Sequence, residues 1–153
     1  MSGTPFDEGA VVDSPTEWVN SHIQSYVSAD WAAGQELEFA DGVPLLLLTV
    51  LGRRSGVWRR SALIYGEGGG SYVIVASKGG APQHPAWYVN LVAEPTVHVQ
   101  VKEAKFTARA RTAEGGERAA LWAEMAEIWP AYNEYQTKTA REIPVVVLDP
   151  MEG

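Results

Sequence analysis

The chain contains no cysteine. Disulfides, thiol nucleophiles and cysteine-bound metals are therefore excluded, and a reducing compartment is acceptable. Histidine is scarce: His22, His84 and His98 stand far apart, with none of the spacings of a metal-ligand set. No Gly-x-Ser-x-Gly elbow occurs, so acyl transfer lacks a nucleophile. Gly66-Glu67-Gly68-Gly69-Gly70-Ser71 resembles a dinucleotide fingerprint, but Ser71 stands where the last glycine is required, and a strand pattern follows. Ser77-Lys78-Gly79-Gly80 has the wrong order for a phosphate-binding P-loop. Basic residues number 12 against 19 acidic ones, too few for the broad positive surface of non-specific nucleic-acid binding. The longest apolar run, Val43 to Leu51, falls far short of a membrane span. Residues 1–13 carry Asp7, Glu8 and Asp13, without the basic start and apolar core of a signal peptide. The expectation is a cytoplasmic domain without metal, whose chemistry, if any, comes from a bound cofactor.

Against this acidic background, Arg53-Arg54-Ser55-Gly56-Val57-Trp58-Arg59-Arg60 holds 4 of the 12 Lys and Arg residues. Lys78 follows beside a second glycine turn. Packing like charges into one turn is unfavourable in itself. An anionic ligand explains it, since guanidinium forks suit phosphate and carboxylate groups; the alternative is a solvated hairpin tip.

At 153 residues the chain suits one domain with a real core. Residues 1–13 read as a flexible arm and 14–34 as an amphipathic helix. Ser14-Pro15-Thr16-Glu17 forms a capping box, and Val19, Ile23, Tyr26 and Val27 follow at helical spacing. Trp18 and Trp31 lie near the two ends, so this helix could rest on a partner or on the inner face of the membrane as well as on the core. Residues 35–153 form the domain. Asp41-Gly42 signals a turn before Pro44 to Leu51, a run that fits a strand buried on both faces. Further strands are expected at Arg59–Tyr65, Tyr72–Ala76, Thr96–Val101, Phe106–Arg111 and Ile143–Leu148, with helices opening at Pro85 and spanning about 116–129. Six strands joined mostly by tight turns predict an α+β fold, a small antiparallel β-barrel with flanking helices.

Pro85-Ala86-Trp87-Tyr88 sets aromatics at a helix start, where free N–H groups favour an anion. Trp129, Tyr132 and Tyr135 supply an aromatic wall with hydroxyls, and Asn133-Glu134-Tyr135-Gln136 reads as an accessible stretch after Pro130. Four ordered motifs then carry a resemblance over about residues 43–150. They are Leu45-Leu46-Leu47-Leu48-Thr49-Val50-Leu51-Gly52-Arg53-Arg54-Ser55-Gly56, Val73-Ile74-Val75-Ala76-Ser77-Lys78-Gly79-Gly80, Pro85-Ala86-Trp87-Tyr88-Val89-Asn90-Leu91 and Tyr132-Asn133-Glu134-Tyr135-Gln136. The chain resembles the deazaflavin-dependent nitroreductases of actinobacteria.

The resemblance implies a split β-barrel and coenzyme F(420), an 8-hydroxy-5-deazaflavin with a phosphate and an oligoglutamate tail. It implies cofactor contacts from Arg53, Arg54, Ser55, Arg59 and Arg60, from Ser61, Ala62, Leu63 and Ile64, and from Val75, Ala76, Ser77 and Lys78. Ala86, Trp87, Tyr88, Val89, Asn90 and Tyr132 complete the set. Trp129, Tyr132 and Tyr135 are expected on the substrate side, with Tyr132 or Ser77 supplying a proton. The implied activity is hydride transfer to an electron-poor small molecule: an activated enone or lactone, a quinone or a nitro compound. Ala62, Ala86 and Trp129 stand where nitroimidazole-active members commonly carry Pro, Met and Tyr, which predicts a differently shaped substrate pocket. A deazaflavin carrier without catalysis and a flavin mononucleotide enzyme of the same fold are the competing readings.

Overall fold

The computed structural model describes residues 6–14, 17–28 and 44–151. The predicted helix cap at Pro15-Thr16, the Trp18 side chain, Trp31 and the Asp41-Gly42 turn lie outside what is described. Short β1 (Val12–Asp13) follows a 3₁₀ turn at Glu8–Ala10 and precedes α1 (Glu17–Ser28). The body comprises β2 (Leu45–Leu51), β3 (Trp58–Ile64), β4 (Gly66–Gly68), β5 (Ser71–Val75), α2 (Ala86–Ala93), β6 (Thr96–Val101) and β7 (Ala104–Thr112). The chain then runs through α3 (Gly115–Ile128), α4 (Ala131–Thr137) and β8 (Val145–Pro150).

The strands form one sheet in the order β1-β3-β2-β6-β7-β8-β5-β4, antiparallel except for β1 beside β3. β3 and β5 come into contact without a ladder between them, so the curled sheet is a split β-barrel. Two strands exceed the six expected. The Gly66–Gly68 segment, read as turn from its glycines, pairs with Ser71–Val73, because a ladder needs backbone groups rather than side chains.

Side-chain alternation divides the core. Leu46, Leu48, Val50, Val97, Val99, Ala108, Ala110 and Leu148 fill the barrel interior. On the outside, Leu45, Leu47 and Ala62 pack under Ile23 and Tyr26 of α1. All seven residues of β2 are therefore buried, which explains the unbroken apolar run. The α1 stripe is turned to the barrel, leaving Val27 exposed. Among the described residues no helix is long and apolar enough to cross a membrane. A third cluster, with Val73, Val75, Met125, Tyr132, Val145 and Val147, lies under α3 and α4.

Candidate active site

The split in the barrel opens a cleft of about 540 Å³. One wall is the free edge of β3. Tyr65 donates its N–H to Pro44 on the β2 side, whereas Arg60 uses its C=O outward, accepting from Ser14. Alternation then turns the N–H and C=O of Ala62 and Ile64 outward too, where among the described residues no strand pairs with them beyond Arg60. Ser61, Ala62, Leu63 and Ile64 all line the cleft.

The opposite wall is the end of β5 and the turn after it: Val75, Ser77 and Lys78 line the cleft. This turn is tightly wound. Lys78 adopts φ 47°, rare for a residue with a side chain, and Gly80 adopts φ 83°. A Cβ at Gly80 would lie 2.7 Å from the Tyr135 carbonyl oxygen, so the turn is pressed against α4. Arg141, which carried no sequence signal, holds the turn from behind. Its Nη2 donates to the Ser77 carbonyl at 2.8 Å, its Nε to Ala81 at 2.9 Å and its Nη1 to Ala76 at 3.3 Å. Nη1 also lies 3.0 Å from His84 Nδ1. A guanidinium can only donate, so the His84 ring is neutral with its proton on Nε2. Burial and then the Arg141 charge hold the His84 pKa below its ordinary value.

Trp87, at the start of α2, and Trp129, Tyr132 and Tyr135 form the aromatic lining, with Val19 of α1 at the rim. The segment after Pro130 is not the open stretch its polarity predicts. It winds into α4, which turns Asn133 and Glu134 outward and buries Tyr132 to 4% exposure. The Tyr132 ring meets those of Trp122 and Tyr135 at 6.2 Å each. Its hydroxyl has no hydrogen-bond partner among the described residues, and the residue lines the cleft. Burial and then the neighbouring Tyr135 push its pKa well above the ordinary phenol value. Tyr132 therefore stays protonated, a neutral donor.

The cationic turn sits next door. Arg53, Arg54 and Arg59 are exposed. Buried Asn90 ties the turn down: its Oδ1 accepts from the Arg53 backbone N–H at 3.1 Å and from Arg53 Nη1 at 2.8 Å. Asn90 lies three residues beyond Trp87 in α2, one helical turn away on the same face. The cationic turn and the aromatic cleft thus share one short helix. Ser55 Oγ accepts from the Val57 N–H at 3.2 Å and fills the space beside Gly52, where a Cβ would meet it at 2.5 Å.

Arg60 is separated from this group. Neighbours on a strand face opposite ways, and Arg60 turns to the outside, where Nε and Nη2 reach Asp13 at 2.6 and 3.2 Å. Among the other expected cofactor contacts, Ala76, Ala86, Tyr88, Val89 and Asn90 do not line the cleft. Ala76 is fully buried, and Tyr88 Oη pairs with Thr112 Oγ1 at 2.9 Å.

The model of the F(420)H(2)-dependent quinone reductase family matches residues 18–150. An F(420)H(2)-dependent quinone reductase of Mycobacterium tuberculosis is 42% identical over 113 residues, spanning 69% of this chain and 72% of that protein. A solved F(420)H(2)-dependent reductase is 46% identical, with TM-score 0.65, over 69% of this chain and 94% of its own. Another solved structure, described as a domain-swapped dimer, is 40% identical with TM-score 0.68 and covers 89% of this chain and all of its own.

Proposed function

The chain belongs to the F(420)H(2)-dependent quinone reductase family, and from that premise we propose that it reduces a quinone seated in the cleft at the barrel split. It is an oxidoreductase and its cofactor is coenzyme F(420). The residues present fit that group. The cleft is walled by aromatic rings and bordered by unpaired β3 backbone groups, as a planar heterocycle with polar edges requires. One turn of α2 away stand Arg53, Arg54 and Arg59, more positive charge than a lone phosphate needs and suited to an anionic tail. That juxtaposition, made by Trp87 and Asn90 on one helix, carries the proposal.

When bound in its reduced form, the coenzyme supplies a hydride, hence two electrons. The chain's own groups then have three tasks. Trp87, Trp129 and Tyr135 line the space that the deazaflavin ring and the acceptor would share, and would exclude water from it. Arg53, Arg54 and Arg59 hold the phosphate and glutamate tail outside the cleft. Reduction of a quinone by a hydride consumes one further proton, and Tyr132, a cleft residue with a neutral hydroxyl, is the donor in this reading, giving a hydrogen bond to the acceptor oxygen as charge develops there. Ser77 Oγ is the second hydroxyl on that wall.

Parallel titration with coenzyme F(420), flavin mononucleotide and nicotinamide cofactors tests the cofactor side. Steady-state reduction of quinone, enone and nitro acceptors by the reduced coenzyme tests the substrate side. The expected result is F(420) binding far tighter than flavin, and turnover with quinones. Equal affinity for flavin, or tight F(420) binding without turnover of any acceptor, would replace the reading by a flavin enzyme or a carrier respectively.

A further inference from the structure

We propose that Arg141 is a positioning residue that aims the backbone N–H groups of Ser77 and Lys78 into the cleft. There they hold a polar edge atom of the deazaflavin ring, an inference that rests on the reading that this ring lies in the cleft. The argument begins with the carbonyls. Those of Ala76 and Ser77 both point at the Arg141 guanidinium, at 3.3 and 2.8 Å. The described residues contain no cis peptide, and in a trans peptide the C=O and the following N–H point in opposite directions. The N–H groups of Ser77 and Lys78 are therefore turned away from Arg141, to the side on which these residues line the cleft.

Three nearby amides are already used. Ala76 donates to Pro144, Gly80 to Ser77 and Ala81 to Lys78. Those of Ser77 and Lys78 have no partner among the described residues. Two adjacent unpaired N–H groups at a turn form a concave donor pair for an oxygen or a ring nitrogen. The pair depends on Ser77, whose φ of −77° and ψ of −40° set the angle between the two peptide planes, and the turn that Lys78 continues with its left-handed φ of 47° persists where surroundings impose it. Arg141 imposes it from both ends, through Ala76 and Ser77 before the 3₁₀ turn and Ala81 after it. Arg141 itself does not line the cleft, so it acts through the turn.

The test compares wild type, Arg141→Ala and Arg141→Lys, each titrated with intact coenzyme F(420) and with the same deazaflavin lacking phosphate and glutamates. The melting temperature of each variant is recorded. Arg141→Ala is expected to lose at least about tenfold in affinity for both ligands alike, since the turn serves the ring. Lysine should not restore it, because one ammonium cannot span three carbonyls and His84. Wild-type binding by Arg141→Ala, a loss confined to the tailed ligand, or full rescue by lysine would each overturn the proposal. Hydrogen exchange on the wild type gives a second route that needs no variant. The Ser77 and Lys78 amides should exchange readily in the free protein and become protected by the tail-less deazaflavin. No protection on binding overturns the proposal. A wild-type chain that binds neither deazaflavin overturns the reading it rests on as well.

Discussion

Replacing Gly80 by alanine puts the packing of the cleft wall to a quantitative test. Two costs apply. The left-handed φ of 83° costs a residue with a Cβ about 1–2 kcal/mol. The new methyl would also lie 2.7 Å from the Tyr135 carbonyl oxygen, 3.1 Å from Tyr135 Cα and 3.0 Å from Lys138 Cβ. These are mostly backbone atoms of α4 that cannot swing aside, so overpacking adds about 1–3 kcal/mol. The stiffer unfolded chain returns about 0.4–1 kcal/mol. The net loss is about 1–5 kcal/mol, which at roughly 2–4 °C per kcal/mol lowers the melting temperature by about 2–20 °C. Gly70→Ala is the control. Its φ of 85° is equally left-handed, but nothing lies within 4 Å of the added Cβ. Only the backbone cost remains, about 0–1.6 kcal/mol net and at most about 6 °C. Thermal unfolding by circular dichroism reads both, and titration with the cofactor should show weaker binding for Gly80→Ala alone. Equal shifts for the two variants would mean that the turn does not touch α4, and the account of how Ser77 and Lys78 are held would be wrong.

Other outcomes follow from the same geometry. Arg59→Ala should weaken coenzyme binding by about 1–3 kcal/mol, less at high salt, and leave stability alone. Arg60→Ala should do the reverse: it takes the guanidinium from largely buried Asp13, which keeps the Gln24 amide as a partner, costing about 1–3 kcal/mol of stability with little change in coenzyme affinity. Tyr132→Phe should reduce kcat by roughly a hundredfold with coenzyme affinity unchanged, and the raised pKa means that this hydroxyl adds no limb to the rate profile over about pH 6–9. His98, stacked on Phe6 with ring centroids 3.6 Å apart, has its pKa held below 6.5 by burial. The folded form binds fewer protons there than the unfolded chain, so stability is complete above that value and falls as pH drops below it. Melting between about pH 7.5 and 5 should show the loss, and His98→Gln should reduce it, leaving the share of His84, whose pKa burial and Arg141 also lower.

What was legible in the sequence depended on range. The alternation of Val97, Val99 and Val101 and the run Leu45–Leu48 report burial directly, and their strands appear where the pattern sets them. β4 carries no such pattern, since its two glycines present nothing to bury. Tyr132 stands out in the sequence as a candidate site residue, but its burial is not legible there. The polar residues after it suggest exposure, whereas α4 places them on the opposite face from the ring. Arg141 left no local trace because its partners lie 57–65 residues away. Only the return of the chain before β8 brings it under the Ser77 turn.

The arginine cluster shows how adjacency in sequence misleads and then informs. Four arginines in eight residues read as one site, yet the pleat of β3 sends Arg59 and Arg60 to opposite faces. Arg60 is committed to Asp13, whereas Arg59 has no partner among the described residues. The proposed anionic ligand is then left to Arg53, Arg54 and Arg59, which are exposed. Positive charge left unpaired in a protein of net charge −7, which has acidic residues to spare, is charge reserved for something outside the chain. Its position gives the direction of that ligand. Asn90 anchors Arg53 one turn along the helix that presents Trp87 to the cleft, so a molecule clasped by the arginines at its anionic end has its planar end directed at the aromatic wall.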